Sequence, residues 1–314
     1  PDDAIETLLI NDLSQAYEFL TLSDAVNSSI GFPVGKVINL KERTSGNGGG
    51  SMWDVVLTSS VTPNTFNIVQ CVGTPSLALV LRIDGFVKLS RWVDNYGDCG
   101  DAVNAAFSYA DVANIDTTSS TKTYSTNTPI SILTNFRGGT CVFKAGAAFV
   151  GDEVVLVDVY SGRKLSDFIV IPFDFGIKVP GLIGIRVGIH NTKLTDVISS
   201  GFDYCWALNS FSITLINCNG VNGNTNMSLW APDGGHQINA INVLGGEWFG
   251  SVDYCFNVGD DRFPTTIDPN TQVHGAMLKI IGCTTDTGVI KLDKMINTEI
   301  SCYFEAGSSP QQDS

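Results

Sequence analysis

The chain has 314 residues, 43% of them hydrophobic, only 16% charged, and a formal net charge of -14. So apolar a chain buries a core and is not a disordered polymer, and so acidic a chain is repelled by nucleic acid and by anionic membrane surfaces, because that binding rests on neutralising phosphate. An acidic polymer is a ligand only where the few Arg and Lys gather locally. The 32 Gly, with many Asn, Thr, Ser and Val, favour strands and turns over helices. No apolar run approaches the ~20 residues that cross a bilayer, so no membrane insertion is expected. The eight Cys contain no Cys-x-x-Cys pair and only three His accompany them. Zinc is therefore not expected, nor any other cofactor, and the thiols read as small buried hydrophobes.

Residues 1–93 read as an N-terminal region. Thr21 to Asn27 predicts a short helix capped by Thr21 or Ser23. Gly35 to Leu40 alternates like a strand, Ser45 to Ser51 is a Gly-rich turn, and Met52 to Leu57 is a second strand, which makes a hairpin. A helix follows over about 101–112, capped by Asp98 or Asp101, with Ala102, Val103, Ala106 and Phe107 on one face. Such a helix closes the open end of a solenoid.

From there to residue 306 the pattern is one of repeats. Phe202 to Leu208 and Val252 to Val258 nearly coincide, at a spacing that suits two coils. Leu194 to Ile198, Ile213 to Cys218, Ile241 to Gly246 and Leu278 to Cys283 share one apolar frame, and Ile300 to Glu305 starts another coil. The spacing between these units is irregular, so loops intervene. The pattern predicts an all-β fold, a parallel β-helix with long loops on one face, where function usually sits. Asn217, Asn219, Asn222, Asn224 and Asn226 fit the corners, because Asn tolerates a left-handed backbone. The polar stretch 307–314 reads as a flexible tail after a mid-solenoid strand, as in a chain truncated before further coils or a trimerising domain.

Several segments resemble a known family. Asn11 to Phe19 and Phe32 to Ile38 are similar to the lead-in of many bacteriophage tailspikes. The Gly-rich turn followed by Met52 and Trp53 resembles their G-D-G-G-G-x-x-[WY] turn, with Asn47 where Asp is usual. Trp92 to Phe107 resembles, in shortened form, the F-G-A-x-G-D-G-x-x-D-[DT]-x-x-A-[IF]-x-x-A opening of pectate-lyase-like phage β-helices. The resemblance extends by motif through Phe107 and by architecture beyond it. It implies a right-handed β-helix behind a small neck. It also implies a homotrimer fixed to the virion tail or baseplate through its N-terminal side, acting on capsule or O-antigen polysaccharide. Most such proteins hydrolyse with paired carboxylates and some are lyases. Their catalytic residues sit in no single motif, so none is carried over.

The chemistry must therefore be sought among the residues themselves. No nucleotide loop, nucleophile elbow or zinc motif is present. His190, His236 and His274 are far apart and lack a matching Ser–Asp pattern. Glycosidic cleavage needs one acid to protonate the leaving oxygen and one carboxylate to activate water or attack. The candidates are Glu247, Glu305, Asp253, Asp203 and Asp233. Glu247 stands in Gly245-Gly246-Glu247-Trp248-Phe249, with space opened by Gly and an aromatic neighbour; Glu305 follows Tyr303-Phe304 in a similar frame. The bland reading makes these acids solvated, and Asp203 and Asp253 hydrogen-bonders of a corner backbone, coil after coil. The sugar-binding candidates are Trp248, Trp230, Trp206, Tyr204 and Tyr254. Alternation places Tyr204 and Trp206 on one strand face, Cys205 and Ala207 on the other. With Cys205 and Ala207 inward, the aromatics form an outer platform; with the aromatics inward, they are core. Asp260-Asp261 lacks the spaced oxygens of a calcium loop, so no metal is expected. An endoglycosidase is the leading reading. A non-catalytic adhesin or structural tail protein is the second, and a polysaccharide lyase using a Lys, Arg, Tyr or His base the third. Two carboxyls about 5–10 Å apart in a groove favour the first, a groove without them the second, and a basic, Arg-containing cleft the third.

Overall fold

The computed structural model describes residues 16–45, 50–64, 66–83, 85–93, 97–113, 122–150, 154–160, 162–188, 190–229, 238–259, 275–285, 289–292 and 295–304. Contacts divide the chain into two units, Pro1–Asp94 with Asp116–Thr118, and Asn95–Ile115 with Ser119–Ser314.

In the first unit, the helix Leu22–Asn27 starts where its capping residue dictates. Thr21 Oγ1 accepts from the Asp24 N–H (3.2 Å), and Asp24 Oδ2 accepts from the Thr21 N–H (3.0 Å). This reciprocal pair satisfies two amides that the first helical turn leaves open. Val37–Leu40 and Ser51–Leu57 pair antiparallel, as their alternation predicts. Trp53 sits opposite Ile38, both fully buried, and its Nε1–H donates to Ser51 Oγ. Tyr17–Phe19, Leu77–Leu81 and Ile68–Gln70 complete a five-stranded sheet. Residues 11–15 of the lead-in and 46–49 of the Gly-rich turn lie outside the described residues.

The second unit opens with the helix Gly100–Tyr109. Asp98 Oδ1 accepts from the N–H groups of Gly100 (3.0 Å) and Asn127 (3.1 Å), so this acid holds the start of the helix against the first coil. The helix is shorter than its apolar periodicity predicts because Ala110 already has an extended backbone. Val103, Ala106 and Phe107 are buried, and Phe107 packs edge-on against Phe136 (5.2 Å).

Beyond the helix the chain winds a right-handed parallel β-helix. Long strands stack in one sheet: Phe136–Ala145, Lys164–Ile171, Thr192–Ser200, Ile213–Ile216 with Asn219–Val221, Ile238–Leu244 with Glu247–Trp248, Gly275–Thr285 and Met295–Phe304. Short strands stack in a second: Ile130–Ile132, Val155–Val159, Ile183–Val187, Tyr204–Leu208, Thr225–Leu229, Tyr254–Val258 and Val289–Leu292. Every registered pair in both stacks is parallel. Tyr204 and Tyr254 both register on Thr225, so the two similar segments are two coils apart, as their spacing predicts. Ile213, Ile241 and Leu278 stand in one column, but Leu194 registers on Leu215, two residues from the shared frame, and Ile300, expected to start a coil, lies within Met295–Phe304 opposite Ile280.

Each coil turns at residues with left-handed backbone. One corner carries Asn191, Ser212, Ala240, Met277 and Asn297; another carries Gly201, Asn222 and Gly250. Of the five Asn assigned to corners, Asn217 and Asn222 have positive φ. Asn219 and the buried Asn226 are strand residues instead.

The core fills with columns of apolar side chains, among them Val157, Ile185, Trp206, Met227 and Phe256. Each such burial contributes about 1.5–3 kcal/mol. All eight Cys are free thiols and seven are buried. Burial pushes Cys205 up to about 11 and Cys218 and Cys283 up to about 12, so they act as hydrophobes.

Candidate functional site

The structure sorts the sequence candidates by burial. Asp203 is buried, and its carboxylate accepts from the Gly181 N–H (2.7 Å) and Asn224 Nδ2 (2.6 Å). It ties three coils together at a corner, which is the bland reading of this acid. Asp253 is exposed, and its N–H donates to the Asn224 carbonyl (2.8 Å). Glu305, Asp233 and Trp230 lie outside the described residues, as do His236, His274 and Asp260-Asp261.

Trp206 and Trp248 are not a sugar platform. Both are 0% exposed and pack against one another (6.3 Å), with Phe256 against Trp248 (5.1 Å). Trp206 Nε1–H donates to the Asn219 carbonyl inside the coil. Tyr204 is also buried, clustered with Val155, Ile183 and Ala207, and Tyr254 is half-buried. Strict alternation fails along this strand. Tyr204 registers on Ile183 and Trp206 on Ile185, with no registered pair at Cys205. Cys205, bonded to the Val221 carbonyl, and Trp206 both face inward, while Tyr204 and Ala207 share a side, and all five residues of the strand are buried.

Glu247 is exposed while Trp248 beside it is buried. Its N–H donates to Asn219 Oδ1 (2.8 Å), and it registers on Thr284, which registers on the exposed Tyr303. The preceding glycines serve the turn more than they open space. Gly246 has φ 93°, and a Cβ there would lie 2.0 Å from the Cys218 carbonyl oxygen.

Two further acids share this outer face. Lys164-Leu165-Ser166-Asp167-Phe168-Ile169 registers on Lys193-Leu194-Thr195-Asp196-Val197-Ile198 in the next coil. Leu165, Phe168, Leu194 and Val197 are buried, and the residues between them face out. Asp167 and Asp196 have left-handed backbone (φ 60° and 55°), so each turns the strand at the same corner. Asn217 (φ 50°), Gly245 (φ 72°) and Gly282 (φ 67°) continue that corner in the following coils. Adjacent rungs of a sheet are about 4.8 Å apart, which sets Asp167 and Asp196 one rung apart and Glu247 about 10 Å along the axis from Asp196. Asp167 Oδ2 accepts from Ser166 Oγ (2.7 Å) and lies 3.9 Å from Arg137 Nε. Asp196 is exposed. The sequence reading missed both acids; the signal was the repeated Lys-Leu-Ser/Thr-Asp frame, which spans two coils.

A second polar cluster lies on the short-strand sheet. Asp158 is buried, and Arg186 in the next coil forks onto it, Nε to Oδ1 at 3.1 Å and Nη2 to Oδ2. The hydrogen bond from Tyr160 to Asp158, then burial, hold the Tyr160 hydroxyl above its ordinary value. It is a phenol that donates, and a poor proton acceptor for lyase chemistry. His190 is exposed and stacks flat on Phe211 (4.9 Å). Among the described residues, no group of three or more His, Cys, Asp or Glu is placed to hold a metal.

No known family model matches the chain, and no curated protein matches it either. Solved structures do. The gp49 tailspike of the Acinetobacter baumannii bacteriophage Fri1, described as a capsular polysaccharide depolymerase, aligns with 92% of this chain and 59% of its own (TM-score 0.62, 9% identity). The gp42 tailspike of Acinetobacter phage vb_AbaP_AS12 aligns with 92% of this chain and 53% of its own (TM-score 0.61, 11% identity). The enzymatically active domain of tailspike protein 2 of bacteriophage CBA120 aligns with 95% and 49% (TM-score 0.54, 14% identity). The chain thus spans about half the length of the tailspikes it matches. At these identities the likeness is one of fold, and the chain carries the parallel β-helix fold of the bacteriophage tailspikes.

Proposed function

We propose that the chain belongs to a phage tailspike that binds a bacterial surface polysaccharide and hydrolyses it with carboxylates on one outer corner of the solenoid. The observation that carries this reading is the pair Asp167 and Asp196 on adjacent rungs of a fold shared with a capsular depolymerase. A rung spacing of about 4.8 Å is close to the ~5–5.5 Å between carboxyls in enzymes that work through a covalent glycosyl intermediate. Asp167, which accepts from Ser166 Oγ and has Arg137 Nε 3.9 Å away, suits the nucleophile. Asp196, exposed, suits the acid that protonates the leaving oxygen and later activates water.

Glu247 supports a second reading of the same face. Glu247 is two rungs from Asp196, about 10 Å along the axis, and two residues past the corner, so its carboxylate serves as the water-activating base of an inverting enzyme only where the two side chains lean toward one another. Tyr303, exposed farther along the Glu247 column, supplies an aromatic surface for a sugar ring. The reading carries with it a homotrimer attached to the virion tail or baseplate through the N-terminal side and acting at the host surface.

The test is incubation with host capsule or lipopolysaccharide, sizing the products and reading their anomeric configuration by NMR. Shortening with retention, abolished in D167N and D196N, supports the adjacent pair. Shortening with inversion, abolished in D196N and E247Q, supports Glu247 as base. Binding without shortening defeats the enzyme and leaves an adhesin. Shortened products with an unsaturated end would mean a lyase.

A further inference from the structure

The outer face that carries Asp167 and Asp196 also carries aligned cations. Lys164 and Lys193 are exposed and register directly on one another in adjacent coils. Like charges so placed repel, and nothing in the core requires Lys at either position. The column they head continues through Thr214 and Asn242 to Lys279 and Glu299. At its far end the arrangement is the usual one, because Lys279 Nζ pairs with Glu299 Oε2 at 3.1 Å. At the near end, no carboxylate pairs with Lys164 or Lys193 among the described residues. Arg137 registers on Ser166, beside Asp167, with its side chain mostly exposed. In a chain with 18 cations against 32 acids, three on one face of three successive coils are a local concentration that the overall charge opposes.

We infer that this face takes an anionic polysaccharide, with a carboxylate or phosphate of the polymer held by Lys164 and Lys193 while the backbone of the sugar chain crosses the Asp corner. The inference rests on the proposed polysaccharide reading and sharpens it to a substrate class. The geometry agrees with that order. The Lys pair and the Asp pair are three residues apart on the same two strands, about 10 Å at strand rise. The subsite therefore lies beside the proposed reacting bond and not on it. Two ammonium groups on neighbouring rungs satisfy one bridging anion, and the anion removes the repulsion between them.

The test is binding of the intact chain to three sets of immobilised bacterial polysaccharide: uronate-bearing, phosphodiester-bearing and neutral. Each is measured at low and high salt. The expected result is binding to one anionic set, weakened by salt, and weakened about tenfold or more in K164Q/K193Q but not in K164R/K193R. Which anionic set binds identifies the charged group. Thermal melts of the variants should match the parent, since both side chains are exposed. Binding to neutral polymers alone, or binding unchanged in K164Q/K193Q, overturns the anionic subsite and leaves the polysaccharide reading in place. Binding to no polymer in any set overturns both.

Discussion

The Trp206–Trp248 interior and the Asp167–Asp196 corner are built from the same repeating coil, yet they repeat different things. Inside, the column Val157, Ile185, Trp206, Met227, Phe256 keeps its apolar character while side-chain volume varies from rung to rung. Each rung only has to fill the space left by its neighbours. At the corner, the column Asp167, Asp196, Asn217, Gly245, Gly282 keeps a backbone conformation while chemistry varies. The residues share a tolerance for positive φ. Asn or Gly would satisfy that demand without charge. Two successive Asp, with Lys aligned three residues before each, go beyond what the turn needs, and that excess is what the proposed site rests on.

The comparison is sharpest if each region fails in only one way. The largest effect expected is in D196N, where Asn keeps the left-handed turn and the carboxylate is lost. Cleavage should fall by about 10²–10⁴-fold with the melting temperature unchanged, measured by product sizing and calorimetry. A fall in stability equal to the fall in activity would make the corner structural. The reverse is expected for W206A, about 3–5 kcal/mol less stable by denaturant unfolding, with cleavage per folded molecule little changed. G246A should cost about 1–3 kcal/mol, because φ 93° is strained for any Cβ and the Cys218 carbonyl oxygen stands 2.0 Å from it. If the variant melts like the parent, the turn relaxes more freely than its contacts imply.

The thiols extend the comparison to pH. Cys205, Cys218 and Cys283 are raised from an ordinary 9.0 to about 11, 12 and 12 by burial. A raised thiol favours the protonated form in the fold. Its contribution is complete below pH 9.0 and is lost as the pH rises through 11 to 12. Denaturant midpoints should be flat with respect to these groups through neutral pH and fall in strong alkali. A thiol reagent that labels the native chain at neutral pH as fast as the unfolded chain would contradict the buried columns. The smallest effect is expected outside the solenoid. T21A removes the capping-box acceptor of Leu22–Asn27 and should cost about 1 kcal/mol, with polysaccharide cleavage untouched.

Much of the fold was legible because its signals are local. The Thr21 cap, the hairpin of Val37–Leu40 with Ser51–Leu57 and the helix before the first coil each follow from a few neighbouring residues. The two-coil relation of Tyr204 and Tyr254 followed from near-identical segments. The site was less legible. Alternation left Trp206 open as platform or core and Trp248 read as a loop residue, and the coil buries both. Asp167 and Asp196 drew no attention because each alone is an ordinary strand acid. Only their register makes them a pair.

By itself the sequence determined that this protein is a solenoid of strands with an apolar interior, because composition, alternation and recurring frames act over a few residues. Tertiary structure alone decided which residues share a rung. The loops between coils differ in length, so alignment across coils is set by the packing of the whole stack. That alignment placed two carboxylates and two lysines on one outer face, and put the tryptophans in the core.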